Sequence, residues 1–111
     1  MTKDEFQKGH QLNEQALLHR QIVWLSGMLT VARNALSNYR RNECAAFQNS
    51  VECLRLMSVD VYLNDEQRGT LAPILDLAKR KPEALRGIGA VIRQFLRPLT
   101  RQAMSNGSTF R

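Results

Sequence analysis

A wide apolar helical pattern between Leu12 and Tyr39 constrains the fold more than any other feature of this chain. Apolar residues recur there at alternating steps of four and three, the spacing of helices that pack side by side. This first seam comprises Leu18, Ile22, Leu25, Leu29, Ala32, Leu36 and Tyr39. A second seam beside it comprises Leu17, Trp24, Met28, Val31 and Ala35. Together they cover about half of a helix circumference at roughly 100° per residue. So wide a face predicts a helix with more than one neighbour, either the centre of a bundle or a helix that also forms a dimer.

A second helix is predicted between Glu43 and Leu63, after a polar turn at residues 38–42. The four-three spacing recurs in it at Phe47, Val51, Leu54, Ser58 and Val61. Asn64 and Asp65 are residue types that end one helix and cap the next. A shorter helix is expected over 65–81, for which Thr70 is another cap candidate that would place Pro73 in the first turn, where a proline costs little.

The last predicted helix begins at Pro82, because proline suits the first helical position and the residue before it avoids helical geometry. It runs to about Arg97, where Pro98 ends or kinks it, and residues 99–104 resume for one turn. At the other end of the chain, Gly9 and His10 weaken the first turns and favour a break there. No alternation long enough for a strand occurs.

The predicted fold class is therefore all-α, a single-domain bundle of four to five helices with a long N-terminal helical hairpin. A length of 111 residues fits one domain. The domain is expected to span residues 1–104, followed by a flexible C-terminal tail at 105–111. An apolar content of 43% with 23% charged residues excludes disorder of the whole chain.

A cytoplasmic location without membrane contact is expected. The N-terminus is polar and carries no secretory signal, and the most apolar region, residues 16–36, is too interrupted by polar side chains to span a bilayer. Cys44 and Cys53 are the only two cysteines. Without an export signal they are expected to be reduced, ordinary side chains.

The net charge of +6 is concentrated in the last third of the chain. Residues 1–78 hold eight basic and nine acidic side chains, a net charge of −1, whereas residues 79–111 hold eight basic side chains against Glu83 alone, a net charge of +7. This asymmetry indicates an anionic partner, either nucleic acid or an acidic protein surface.

The last helix gives this charge a geometry. Its arginines fall within about 80° on a helical wheel, opposite the apolar positions, and three cations precede them. The predicted binding residues are Lys79, Arg80, Lys81, Arg86, Arg93, Arg97 and Arg101. Arginine forks bind phosphate oxygens in pairs and remain charged at any biological pH. Such a face predicts salt-dependent, weakly sequence-specific binding. A plain solvated basic face is the simplest alternative.

Two other readings of this region fare worse. A helix-turn-helix over 70–96 has suitable lengths, but its turn lacks a glycine and its second helix offers only Gln94 for paired contacts to bases. The segment Gly87-Ile88-Gly89 is not a phosphate loop, because no Gly-Lys-Ser/Thr motif and no preceding strand accompany it. Its small residues are expected to let another helix approach closely.

No catalytic residues, metal ligands or cofactors are predicted. His10 and His19 do not share a helix face well, and neither cysteine stands at a ligand spacing from another. Nothing in the sequence orients a base beside a nucleophile, and so small a bundle leaves little room for a substrate cleft. An enzyme or a small-molecule substrate is therefore not expected.

Three hypotheses about function remain. The leading one is a non-catalytic binding module that contacts nucleic-acid backbone through its basic C-terminal helix, alone or inside a nucleoprotein complex. The second is a small protein-interaction factor, an adaptor or inhibitor for which a phage or a plasmid is one candidate source. The third is a structural homodimer built on the first seam, through Leu18, Ile22, Leu25, Leu29 and Leu36.

Overall fold

Four α-helices and one short 3-10 turn make up the described chain. A computed structural model describes the backbone of residues 3–106 and the side chains of residues 14–105. The helices are α1 (Lys3–Arg40), α2 (Cys44–Ser58), α3 (Asp65–Arg80) and α4 (Leu85–Asn106), with the 3-10 turn at Pro82–Ala84. No strand occurs over residues 3–106, so the all-α prediction is confirmed. The predicted domain end at residue 104 lies within α4, and residues 107–111 of the predicted tail lie outside the described residues.

The helices form a closed ring in which each packs on two neighbours. α1 contacts α2 and α4, α3 contacts α2 and α4, and the diagonal pairs do not meet within the described residues. Because the connections are short, successive helices run antiparallel, and α4 also runs antiparallel to α1. The bundle therefore consists of two layers, an α1/α4 layer and an α2/α3 layer.

The core lies where the four helices converge. Fully buried side chains from each helix fill it: Leu25 and Met28 from α1, Leu54 from α2, Leu71 from α3, and Leu85, Ile88 and Ile92 from α4. Both predicted seams of α1 contribute, since Leu25 belongs to the first and Met28 to the second. The wide apolar face of α1 thus serves its two neighbours within one chain.

α1 is a single helix of 38 residues. Its backbone passes Gly9 and His10 without interruption, so the break that these two residues allow does not occur. At about 1.5 Å per residue it is about 57 Å long, which sets the longest molecular dimension of 59 Å.

α1 ends in a turn that its sequence encodes locally. The Glu43 amide donates to the Asn38 carbonyl at 2.9 Å and the Asn42 amide donates to the Tyr39 carbonyl at 3.1 Å. This is the Schellman arrangement, which requires a left-handed residue just beyond the helix. Asn42 supplies it with φ of 59°. The chain then reverses directly into α2.

α2 stops earlier than predicted, at Ser58 rather than Leu63. Side chains distant in sequence hold the turn that follows. Trp24 Nε1 donates to the Met57 carbonyl at 3.0 Å, and Arg68 Nη2 donates to the Asp60 carbonyl at 2.8 Å. Val61, predicted to be buried on α2, is 82% exposed in this turn. The prediction failed because the heptad spacing extends to Val61, whereas these tertiary hydrogen bonds hold the chain in a turn after Ser58.

Two prolines lie inside helices, Pro73 against the prediction and Pro98 in line with the predicted alternative of a helix that resumes beyond it. α3 begins after Asn64, whose side chain and that of Gln67 cap each other's backbone amides, so Pro73 lies inside the helix rather than in its first turn. α4 likewise continues through Pro98 to Asn106. Both prolines are exposed, as are Gly69 and Gln94, whose carbonyls lose their helical partners. Water can solvate those carbonyls while the opposite faces stay packed on the core.

Candidate binding surface

α4 is amphipathic, with apolar side chains on one side and exposed arginines on the other. Leu85, Ile88 and Ile92 are at most 2% exposed and pack in the core. On the other side, the side chains of Arg86, Arg93, Arg97 and Arg101 are all exposed.

Three of these arginines gather around one surface depression. Arg93, Arg97 and Arg101 surround a shallow, open concavity of about 410 Å³, whose floor and rim also include Leu96, Thr100 and Met104. Met104 is 74% exposed. The surface is therefore not uniformly polar, because Leu96 and Met104 line the same depression as the guanidinium groups. Thr100 adds a hydroxyl to the five guanidinium donors that each arginine offers.

Among the side chains of residues 14–105, no carboxylate is paired with any of these three arginines. The ion pairs among the side chains of residues 14–105 are Glu52–Arg55, Asp65–Arg68 and Glu83–Arg86. Arg86 differs from the other three, since its Nε lies 3.3 Å from a Glu83 carboxylate oxygen. Both members of that pair are exposed, which makes it weak. The three remaining guanidinium groups are available to an external anion.

The three cations that precede α4 lie elsewhere. Lys79, Arg80 and Lys81 are exposed at the end of α3. The pKa of Glu52 on α2 is lowered by its hydrogen bond to Arg55 and, to a smaller extent, by the charge of Lys79. None of the three lines the depression. The sequence grouped seven cations as one site, and the fold brings Arg93, Arg97 and Arg101 together.

The fold also separates charge in a way that the linear sequence does not display. The α1/α4 layer, counted over residues 14–40 and 85–105, has seven arginines and one acid, a net charge of +6. The α2/α3 layer with its connections, residues 41–84, has six basic and seven acidic side chains, a net charge of −1. Three of the seven arginines come from α1, namely Arg20, Arg33 and Arg40. Sequence reasoning missed them because residues 1–78 are nearly neutral as a whole.

The predicted dimer seam is largely occupied within one chain. Leu18 and Leu25 are buried, with 8% and 0% of their surface exposed, and Ile22, Leu29 and Leu36 are half-buried. Leu29 and Leu36 pack against the core. A dimer through this seam stays a prediction, with less apolar surface available than the sequence indicated.

A second depression lies on the other flank of α1. His19, Arg20, Val23, Trp24 and Tyr62 line it, with a volume of about 350 Å³. The rings of Trp24 and Tyr62 contact each other at a centroid distance of 5.2 Å, and Gln21 Nε2 donates to the Tyr62 carbonyl at 3.4 Å. These contacts attach the α2–α3 turn to α1, so a structural role accounts for this cluster.

Other site types find little support. Over residues 14–105, no three His, Cys, Asp or Glu side chains converge as a metal site would require. Cys44 and Cys53 are exposed free thiols. Within the described helices, none pairs the length and the apolar content of a membrane span.

No family model, curated protein or solved structure matches this chain. Any functional assignment therefore rests on the helix surfaces themselves.

Proposed function

We propose that this protein is a non-catalytic binding module that contacts nucleic-acid backbone through α4. One observation carries the proposal: Arg93, Arg97 and Arg101 are exposed side by side on one helix face, with no carboxylate paired to them among the described side chains. Guanidinium groups so placed suit phosphate oxygens, which accept paired hydrogen bonds. A rigid helix that is packed by its opposite face holds them in position at little entropic cost.

Fluorescence anisotropy with a labelled 20-base-pair duplex and a labelled 20-nucleotide single strand tests this proposal. Titrations at 50 and 200 mM NaCl should show binding that weakens steeply with salt, because each neutralised phosphate releases counterions. The triple variant R93Q/R97Q/R101Q should bind at least tenfold more weakly at 50 mM salt. A matched control, R20Q/R55Q/K79Q, removes the same charge from other faces and should retain most of the affinity.

Two outcomes would overturn the proposal. One is the absence of binding below about 10 µM at 50 mM salt, where non-specific binding to phosphate backbone is strongest. The other is an equal loss in both triple variants, since that would indicate a general charge effect rather than a site. Circular dichroism of each variant shows whether the helices are intact.

A protein partner is the second candidate, and the apolar side chains in the depression favour it. Leu96 and the exposed Met104 line the same depression as the arginines, an arrangement that suits an acidic helix with its own apolar positions. Met104→Ser separates the two candidates. It should leave backbone binding nearly unchanged, because phosphates gain nothing from a thioether, whereas it should weaken binding of an acidic amphipathic peptide several-fold.

A further inference from the structure

We infer that the binding surface covers both helices of the α1/α4 layer and that its ligand is double-stranded nucleic acid. The inference rests on the proposed function and specifies its ligand. It is carried by a second row of arginines on α1, by the length of the face, and by the position of the aromatic side chains.

The second row follows from the register between α1 and α4. A Cβ built on Gly89 would lie 3.5 Å from Leu29 Cδ1, so these two residues are opposite each other. Arg33 lies one turn beyond Leu29 on α1, which in an antiparallel pair is level with residues 85–86 on α4. Arg33 is exposed, and Arg40 lies on the same side of α1 two turns later.

The two rows face the same way. On α1, Leu29 faces α4, whereas Trp24 and Gly27 face Met57 on α2. Moving from Leu29 to Arg33 therefore leads away from the α2/α3 layer. On α4, moving from the core residue Ile92 to Arg93 leads to the same outer side. The outer face of this layer thus carries α1 arginines in one row and α4 arginines in the other.

The dimensions of this face match a duplex. By the same register, Arg101 is level with residue 17 of α1, so the face extends from there to Arg40, about 35 Å at 1.5 Å per residue. One turn of duplex DNA occupies about 34–36 Å. Arg33 and Arg40 lie beyond Arg93, Arg97 and Arg101 along this face, so the two groups together can contact duplex phosphates over about one helical turn.

The aromatic side chains argue against a single strand. Proteins that hold single strands stack bases on exposed rings. Trp24 and Tyr62 lie on the flank of α1 that faces α2, Tyr39 is 42% exposed but its ring contacts Phe47 on α2, and Phe95 packs against the core. Among the described residues of the α1/α4 face, arginines are accompanied by hydroxyls and aliphatic groups, which suit backbone rather than unstacked bases.

The test compares a 20-base-pair DNA duplex, a 20-base-pair RNA duplex and a 20-nucleotide single strand at matched salt. At least one duplex should bind tenfold or more tightly than the single strand, and the tighter of the two identifies the nucleic acid. R33Q/R40Q should weaken duplex binding about tenfold. It should also reduce the slope of log affinity against log salt by about two, since each lost phosphate contact removes about 0.9.

The control R20Q/K79Q removes the same charge from outside this face and should change the slope by less than one. Equal affinity for duplex and single strand, or equal effects of the two double variants, would overturn the inference. The proposed function fails separately, when R93Q/R97Q/R101Q binds as the unaltered protein does. The charge-reversed variant R33E/R40E should lose more duplex affinity than R33Q/R40Q. Its helix content is measured in parallel.

Discussion

Single residues hold the turns of this bundle, and Asn42 is the clearest example. It adopts φ of 59° at the end of α1. This left-handed backbone conformation is strained for residues other than glycine, asparagine and aspartate. The Schellman hydrogen bonds around it join α1 to α2 and thereby fix where the second helix starts.

Replacing Asn42 tests this role directly. Asn42→Ala should lower the free energy of unfolding by about 1 kcal/mol, because alanine is less tolerant of left-handed geometry. Asn42→Gly should be neutral or slightly stabilising, since glycine adopts that geometry without strain. Urea denaturation followed by circular dichroism measures both. Equal loss in the two variants would mean that the asparagine side chain, rather than the backbone conformation, is what matters.

Trp24 is the residue that anchors the α2–α3 turn from outside. Its indole N–H donates to the Met57 carbonyl, and its ring contacts Tyr62. Trp24→Phe should cost about 1 kcal/mol or somewhat more, from the lost hydrogen bond and reduced packing. Tyr62→Phe keeps the ring contact and should change stability by less than about 0.5 kcal/mol, within the range of a mild surface substitution. Thermal unfolding of both variants decides whether the indole hydrogen bond contributes as proposed.

At the scale of the helices, α3 depends on its cap because its interior is weakened. Pro73 removes one hydrogen bond, and Gly69 has low helix propensity. The reciprocal hydrogen bonds of Asn64 and Gln67, at 2.8 and 3.0 Å, compensate at the N-terminus.

Two substitutions in α3 should therefore have opposite effects. Asn64→Ala should destabilise the protein by about 1 kcal/mol, through loss of the cap. Gly69→Ala should stabilise it by up to about 1 kcal/mol, because a Cβ at Gly69 would meet no atom within 4 Å and alanine favours the helix. Melting temperatures should shift by about 4 °C in each direction. A destabilised Gly69→Ala variant would show that Pro73 requires the flexibility of glycine one turn earlier.

The sequence predicted the buried face of a helix correctly where that face depends only on the spacing of residues within the helix. The two α1 seams predicted burial of Leu25 and Met28, and both are fully buried. The end of α2 was not readable, since the heptad spacing runs on to Val61 while Trp24 and Arg68 hydrogen-bond the turn from distant positions. Pro73 was misplaced for a related reason: packing of Leu71 and Leu75 outweighs the lost hydrogen bond, and sequence rules for proline do not include packing.

The binding surface shows the same division. The exposure of Arg93, Arg97 and Arg101 followed from the period of one helix and needed no knowledge of neighbours. Arg33 was not assigned, because its proximity to α4 depends on the register that Leu29 and Gly89 set between helices. Such a register arises from side-chain packing across more than fifty residues of chain, which periodicity alone does not specify.

For the molecule as a whole, the layered charge should be visible in stability even without a ligand. Over residues 14–40 and 85–105, folding brings seven arginines into one layer with one acid, Glu14, whereas the unfolded chain spreads them further apart. Their mutual repulsion therefore destabilises the folded state at low ionic strength. Salt screens it, because the Debye length falls from about 30 Å at 0.01 M to about 10 Å at 0.1 M.

The melting temperature should consequently rise by several degrees between 10 and 200 mM NaCl. The exposed ion pairs Glu52–Arg55 and Asp65–Arg68 act in the opposite direction, but pairs of this kind contribute little. R93Q/R97Q/R101Q should melt higher than the unaltered protein at 10 mM salt and gain less from added salt, because it removes three like charges from one layer. R20Q/R55Q/K79Q takes only Arg20 from that layer and should keep most of the salt dependence. A melting temperature that stays constant or falls with salt would mean that repulsion among the arginines of this layer does not destabilise the folded protein.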